Sequence, residues 1–210
     1  MKGDLDMDRK KEFLELFEMA EARYGKSGKR LAGEGWDEVW KTLICTILSA
    51  QSRDETTIPI AERLFEKYGS LEKLSRASVG DVENSLKGMN YYKTKARNIL
   101  GAARMLLNDF NGRVPETIDE LVKLPGVGRK TANLVLTECF GKEGITVDTH
   151  VHRISNVFGF VNTKTPNETE IELMKIVPRE LWSRVNRIFV LWGKEVKGRD
   201  RGKFLERLEN

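Results

Sequence analysis

The chain has 210 residues, of which 40% are hydrophobic and 32% charged, so we expect one large or two small globular domains. No run of about 18 apolar residues is present, which excludes a membrane-spanning helix. The charged start MKGDLDMDRKKEF lacks an apolar signal region, so the predicted location is cytoplasmic. The net charge of +4 does not by itself separate a nucleic-acid-binding surface from an ordinary one.

Apolar residues at helical spacing predict an all-α protein of about ten helices, and no alternating stretch is long enough to be a strand. Long amphipathic segments include the N-terminal one, then 36–51 with Asp37 as its expected N-cap, 54–69 with Gly69 as its expected end, and 93–110. Shorter helices are predicted at 71–75, 79–86, 117–123, 131–140, 149–158, 167–176 and 178–196.

Cysteine and glutamine are scarce. Cys45 and Cys139 lie in apolar runs and are expected to be buried free thiols, and two cysteines exclude a four-cysteine iron–sulfur site within these residues. The single glutamine, Gln51, among abundant lysine and glutamate is typical of a heat-adapted source.

The segment LPGVGRKTANLVL, residues 124–136, joins two predicted helices by a tight turn. Pro125 cannot continue the preceding helix, while Gly126 and Gly128 permit positive φ and leave the backbone uncovered. The next helix then begins with unpaired N–H groups at its positive dipole end, where a phosphate can bind. An ordinary helix–helix turn fits the glycines equally well.

The basic pair after the turn favours the functional interpretation. The helix dipole disfavours cations at a helix N-terminus, so the presence of Arg129 and Lys130 there requires an explanation. A bound phosphate would explain Arg129. An amine nucleophile must be neutral, and a helix N-terminus, partial burial and a nearby cation would all favour the neutral form of Lys130. An isolated lysine here would otherwise be a solvated surface residue.

Asp148 follows Lys130 by eighteen residues and directly precedes the helix predicted at 149–158. Its position alone favours an N-cap, although a cap carboxylate can keep one oxygen free. A lysine and a carboxylate at one pocket suit glycosidic chemistry, because the carboxylate stabilises positive charge at the sugar carbon that the amine attacks.

LPGVGRKTANLVL followed by VDTHVHRISN resembles the endonuclease III branch of the helix-hairpin-helix (HhH-GPD) DNA glycosylases. Further similar segments are LICTILSAQSRDETT, MNYYKTKARNIL and GRVPETIDELVKLPGVG, so the resemblance covers about residues 35–195. It implies two all-α domains with a cleft between them. A six-helix barrel would span 32–142, and 1–31 plus 143–210 would form the second domain.

The resemblance also implies a mechanism. Lys130 would form a Schiff base with C1′ of the damaged nucleotide, Asp148 would assist base loss, and β-elimination would then nick the DNA. The base must first flip out of the duplex. Gln51 would fill the gap, and Tyr91 falls where the family places a second intercalating residue. Without the resemblance, Gln51 is a helix-end polar residue and Tyr91 a core edge.

Other residues implied to contact DNA lie beside Tyr91, in the hairpin and after Asp148: Tyr92, Lys93, Lys95, Gly126, Val127, Gly128, Arg129, His150 and Arg153. The hairpin carbonyls would be able to hold a monovalent cation, and no other cofactor is expected. His150 and His152 are two residues apart and share no helix face, so no metal site is predicted there. The expected partner is duplex DNA with a damaged base or abasic site, bound by a monomer associated with the nucleoid.

The sequence departs from the branch in two places. Lys197 stands where the first cysteine of a four-cysteine iron–sulfur cluster is expected, so the cluster is predicted to be absent. Five basic residues could replace its DNA-binding loop electrostatically: Lys194, Lys197, Arg199, Arg201 and Lys203. Trp182, Phe189 and Trp192 are expected in the core. The sequence Asn90–Tyr91–Tyr92 resembles the adenine-mismatch branch, although that branch lacks the hairpin lysine.

The resulting prediction is a DNA glycosylase with abasic-site lyase activity that removes damaged pyrimidines. Alternatives with the same fold remove thymine or uracil opposite guanine, or oxidised guanine. A non-catalytic helix-hairpin-helix DNA-binding protein is the alternative of another class. Lys130 together with Asp148 argues against it, since backbone binding requires neither.

Overall fold

The computed structural model describes residues 2–209, with side chains from residue 7 onward. This part of the chain folds into α-helices and one short 3-10 helix, without a strand, which confirms the all-α prediction. The α-helices in chain order are α1 Lys2–Tyr24, α2 Val39–Ser49, α3 Asp54–Tyr68, α4 Leu71–Arg76, α5 Val79–Ser85, α6 Tyr92–Asp109, α7 Ile118–Leu121, α8 Arg129–Phe140, α9 Thr149–Val157, α10 Pro166–Ile176, α11 Trp182–Glu195 and α12 Arg201–Glu209.

The chain divides into two compact units. One contains Arg30–Gly141 with α2 to α8, and the other combines the described residues up to Lys29 with those from Lys142 onward. The barrel predicted for residues 32–142 and the boundaries predicted for the second domain stay predictions.

Helix α2 is the central element of the Arg30–Gly141 unit. Eight of its eleven residues are buried, and it packs against α3, α6 and α8. Trp36 and Trp40 meet Phe65 of α3 edge-on, with ring centroids 4.9 and 5.3 Å apart. The end of α2 leads directly into the segment that carries Gln51, so this core fixes the position of that segment.

An aromatic cluster forms the core of the other unit. The ring centroid of Phe13 in α1 lies 5.2 Å from that of Phe160. The ring centroid of Trp192 in α11 lies 5.4 Å from that of Phe158 and 5.2 Å from that of Phe204 in α12. The predicted core residues Trp182, Phe189 and Trp192 are all buried. Phe204 is fully buried, and its carbonyl accepts a 3.2 Å hydrogen bond from Trp192 Nε1, which fixes α12 on α11.

Three local predictions differ from the structure. Asp37 does not cap α2, because Glu38 holds the N-cap position and Asp37 instead binds Lys41 Nζ at 2.8 Å. The helix predicted at 178–196 is divided into a 3-10 turn at Arg179–Leu181 and α11. Helix α12 was not predicted. In contrast, Gly69 ends α3 in the left-handed conformation, as predicted.

None of the helices within residues 2–209 combines the length and the apolar character that crossing a membrane requires.

Candidate functional site

The hairpin between α7 and α8 is closed by two backbone hydrogen bonds. The Leu124 N–H donates to Leu121 O, and the Val127 N–H donates to Leu124 O, each at 3.1 Å. Gly128 then serves as the N-cap of α8 without a side chain to cap it. The N-cap position therefore offers no side-chain acceptor to the first N–H groups of α8, which suits this helix end to an anion.

The fold requires glycine at one of the two hairpin positions but not at the other. Gly126 has φ +80°, and a Cβ there would lie 2.9 Å from both Ile47 Cγ2 and Asn98 Cβ, so the fold requires glycine. Gly128 has φ −98° and does not use the positive φ that glycine permits. A Cβ on Gly128 would meet nothing within 4 Å, and the fold itself therefore does not demand glycine at this position.

Arg129 and Lys130 occupy the first turn of α8 and are both exposed. Partial burial, one of the conditions that would favour the neutral form of Lys130, is therefore not found. Its side chain has no hydrogen bond or ion pair with the described residues, and the first turn of α8 contains no acidic residue. Lys130 is thus exposed beside the hairpin, and its amine has no polar partner in the described part of the chain. Val127 is buried, so only its backbone can face a ligand.

Asp148 is the N-cap of α9, as its position predicted. Its Oδ1 accepts from the backbone N–H groups of His150 at 2.8 Å and Val151 at 2.9 Å. Oδ2 has no hydrogen bond within residues 2–209, and the residue is half-buried. Capping therefore engages one carboxylate oxygen and leaves the other available.

Gln51 and Tyr91 share an uncommon backbone conformation. Their φ angles are +54° and +56°, and only one other non-glycine residue in the described chain, Asn111, has a positive φ. Gln51 is exposed, and 66% of the surface of Tyr91 is accessible. Asn90 Nδ2 donates to Gln51 O at 3.3 Å. The two predicted gap-filling residues thus lie on adjacent, strained segments.

The three other predicted contacts near Tyr91 differ in exposure. Lys93 is exposed, and Tyr92 packs partly against the core of its unit. Lys95 is buried, and its Nζ donates to Ser52 Oγ at 2.6 Å. The prediction that Lys95 contacts DNA therefore lacks support from its position.

Arg153 supports the C-terminal end of α11. Its NH2 donates to Gly193 O at 2.6 Å and Val196 O at 3.0 Å, and its NH1 donates to Gly198 O at 3.1 Å. These carbonyls engage the guanidinium that was predicted to contact DNA. Nothing in the sequence signalled this role, because the acceptors lie at least forty residues further along the chain.

His150 packs closely against α11. A Cβ on Gly193 would lie 2.5 Å from His150 Nδ1, so glycine is required where the ring meets the helix. Burial lowers the pKa of His150, against the raising effect of Asp148. The residue is half-buried, so only part of its surface is accessible for the predicted contact with DNA.

Comparison with known proteins identifies the family. Residues 44–179 match the HhH-GPD superfamily of base excision DNA repair proteins. Endonuclease III of Thermotoga maritima is 45% identical over 157 residues, which is 75% of this chain and 74% of that protein. The chain belongs to the HhH-GPD superfamily.

Two solved structures are similar to this HhH-GPD protein. One is a trapped covalent intermediate of endonuclease III with DNA in an estranged-adenine complex, with a TM-score of 0.83, 35% identity and coverage of 91% of this chain and 89% of that one. The other is a thermostable thymine-DNA glycosylase, with a TM-score of 0.73, 20% identity and coverage of 88% and 86%. The second likeness concerns the fold alone.

The cysteines of this HhH-GPD protein do not fit a four-cysteine cluster. Cys45 and Cys139 both belong to the Arg30–Gly141 unit, where Cys45 is buried and Cys139 only partly so. Burial raises the pKa of the Cys45 thiol to about 12, which disfavours the thiolate that ligates metals. Within residues 2–209, no group of three or more His, Cys, Asp or Glu side chains is placed to hold a metal ion.

The basic residues predicted to replace the cluster loop are all exposed: Lys194, Lys197, Arg199, Arg201 and Lys203. Arg201 forms an ion pair with Glu12 of α1. At least one of the five charges therefore serves a contact within its own unit.

Proposed function

We propose that this HhH-GPD protein is a DNA glycosylase with abasic-site lyase activity that removes damaged pyrimidines from duplex DNA. The observation that carries the proposal is Lys130 in the first turn of α8, directly after the hairpin, which is exposed and has no hydrogen bond or ion pair with the described residues. The relative from Thermotoga maritima is named endonuclease III, and a similar solved structure is a trapped covalent complex of endonuclease III with DNA. A covalent intermediate with DNA requires a nucleophile in that endonuclease III, and we assign the corresponding role here to Lys130.

The hairpin would hold the DNA backbone. The uncapped N–H groups of α8 offer donors to a phosphate, and the open space at Gly128 lets it approach the backbone. Arg129 is exposed beside them. The hairpin carbonyls would be able to hold a monovalent cation, and the proposal requires no other cofactor.

Lys130 would carry the covalent step. Its neutral amine attacks C1′, the bond between C1′ and the base breaks, and the base leaves with the bonding electrons. The bond between C1′ and the ring oxygen O4′ then breaks as a proton passes from Nζ to O4′, which leaves an imine between Nζ and C1′. Loss of a proton from C2′ then expels the 3′ phosphate by β-elimination, which nicks the strand.

Asp148 would stabilise the positive charge that develops at the sugar as the base departs. Its Oδ2 has no hydrogen bond in the described chain, whereas Oδ1 is engaged by the α9 cap. The cap holds the carboxylate rigidly, which is the preorganisation that electrostatic catalysis requires.

Gln51 and Tyr91 would enter the duplex when the damaged nucleotide flips out. Both side chains are exposed, and both backbones are held in the left-handed conformation. Tyr92 and Lys93 would flank the strand. The protein would act wherever the DNA is, which in a bacterial cell is the cytoplasmic nucleoid.

Substitutions of Asp148 test the proposal. In Asp148→Asn, the amide still caps α9 but the charge is lost, so stability should be kept while single-turnover excision falls by at least about 100-fold. Asp148→Ala should lose about 1 kcal/mol of stability as well. Excision at the wild-type rate by Asp148→Asn would show that Asp148 is only a cap.

The same assay identifies the base. Duplexes that contain an oxidised pyrimidine, thymine or uracil opposite guanine, or oxidised guanine are compared under single-turnover conditions. The proposal expects the oxidised pyrimidine to be excised fastest. Faster excision of a mismatched thymine or of oxidised guanine would assign one of the alternative substrates.

A further inference from the structure

Lys95 is a buried lysine without a carboxylate partner in the described chain. Only 4% of its surface is exposed, and the one polar contact of its ammonium group is the 2.6 Å hydrogen bond to Ser52 Oγ. Burying a charge beside a single neutral acceptor is unfavourable. Burial accordingly lowers the pKa of Lys95 to about 8. Because a buried lysine destabilises the fold in this way, its presence indicates a function that an apolar side chain could not perform.

The contacts of Lys95 join the two strained segments. Its side chain binds Ser52, which follows Gln51, while its backbone N–H donates to Tyr91 O at 2.9 Å. Asn90 Nδ2 adds the 3.3 Å hydrogen bond to Gln51 O. Gln51 and Tyr91, with φ of +54° and +56°, are therefore connected through Lys95 on one side and Asn90 on the other.

We propose that Lys95 is a positioning residue whose hydrogen bond to Ser52 holds Gln51 and Tyr91 as a preformed pair, ready to enter a duplex at a damaged site. Lys95 itself is buried and acts through Ser52 rather than on DNA. The inference rests on the proposed function, because it assigns the pair to the gap that the flipped nucleotide leaves.

The preformed pair should matter only for DNA that has a gap to fill. The proposed function has the hairpin hold plain duplex through its backbone, and Lys95 has no hydrogen bond to the hairpin within the described residues. Lys95 therefore affects the discrimination between damaged and plain DNA, whereas a merely structural lysine would affect both or neither. The effect of Lys95 is therefore measured as the ratio of the affinities for damaged and plain duplex.

The test compares affinity for a duplex with an uncleavable abasic analogue against affinity for the same duplex undamaged. Lys95→Met and Ser52→Ala should each weaken binding of the abasic duplex about tenfold, the size of one charge-assisted hydrogen bond, and leave binding of plain duplex unchanged. The double variant should lose no more than either single one, because both remove the same contact. Independent losses that multiply, or equal losses on plain duplex, would overturn the proposal.

A matched pair at Ser52 separates the hydroxyl from the packing. Ser52→Thr keeps the acceptor and should bind the abasic duplex within about twofold of wild type, whereas Ser52→Val has the same shape without the hydroxyl and should show the full loss. Lys73→Met removes an exposed lysine on α4 and should bind both duplexes like wild type. Equal binding by the Thr and Val variants would contradict the role of the hydrogen bond.

A measurement on the free protein keeps this inference separate from the proposed function. The 13Cα and 13Cβ chemical shifts of Gln51 and Tyr91 report their backbone conformation, and they should move away from left-handed values in Lys95→Met and Ser52→Val but not in Ser52→Thr. Unchanged shifts in every variant would overturn the inference. If wild type bound abasic and plain duplexes equally, the proposed function would fail, and the shifts would still decide the role of Lys95.

Discussion

At the residue scale, Gly126 and Gly128 look alike in the sequence, but the fold constrains only one of them to be glycine. Gly126 is fixed by its φ of +80° and by close contacts with Ile47 and Asn98. Gly128 has an ordinary backbone and open space, so the fold does not require glycine there, and we propose that a bound phosphate does. The pair allows stability and DNA binding to be separated.

Gly128→Ser should stabilise the protein by a few tenths of a kcal/mol, because serine is a better N-cap than glycine. The same hydroxyl would occupy the α8 N–H groups and should weaken duplex binding. Gly126→Ala should instead destabilise the protein by at least about 1 kcal/mol. Thermal unfolding measures the change in stability, and binding titrations measure the change in affinity for duplex DNA. Unaltered DNA affinity in Gly128→Ser would exclude a phosphate at that helix end.

Lys95 should make stability depend on pH. Its pKa falls from 10.5 to about 8 on folding, so between these values the unfolded chain binds the proton and the native protein does not. Stability attributable to Lys95 therefore rises with pH across this window, by about 3 kcal/mol in all. Below pH 8, Lys95→Met should be more stable than wild type, and the difference should disappear near pH 10.5. Urea unfolding at several pH values measures the difference in stability between Lys95→Met and wild type. A difference that stays constant with pH would contradict the prediction.

Residue-level predictions succeeded where local chemistry decides the outcome. The cap at Asp148 followed from an aspartate directly before a helical pattern, and it was found. The burial of Lys95 and the engagement of Arg153 were missed, because their partners Ser52 and Gly193 are brought close only by the fold. The spacing of residues within one helix carries no signal for such contacts.

At the element scale, the helices with a wide apolar face were predicted, whereas α12, which lacks one, was not. Helix α2 is buried along most of its length and was evident from its apolar spacing. Helix α12 has a single buried residue, Phe204, and is held by contacts with α11 and by the ion pair of Arg201 with Glu12 of α1. Polar helices held by tertiary contacts do not produce the pattern on which sequence prediction relies.

Arg153 connects α9 to the end of α11, and the unit should depend on it. Arg153→Ala removes three hydrogen bonds from a guanidinium to carbonyls and should destabilise the protein by about 2–4 kcal/mol. Arg153→Lys should recover less than half, because an ammonium cannot reproduce the planar fork. Urea unfolding provides the comparison, with the exposed Arg199→Ala as a near-neutral control. Equal stability of the Lys variant and wild type would show that charge alone suffices.

At the scale of the whole molecule, identity came from the combination of distant segments. Neither the net charge of +4 nor the hairpin alone separates a repair protein from an ordinary helical one. The hairpin lysine together with Asp148 pointed to the superfamily, and the match over residues 44–179 confirmed it. The substrate base depends on pocket shape, which no motif in the sequence specifies.

The central claim is that Lys130 attacks the sugar, and borohydride trapping tests it most directly. Wild-type protein mixed with abasic duplex and borohydride should form a covalent adduct whose peptide map places the link at Lys130. Lys130→Gln should form none, while Lys123→Gln, a neighbouring exposed lysine, should form it fully. No adduct with wild type, or an undiminished adduct with Lys130→Gln, would contradict the account.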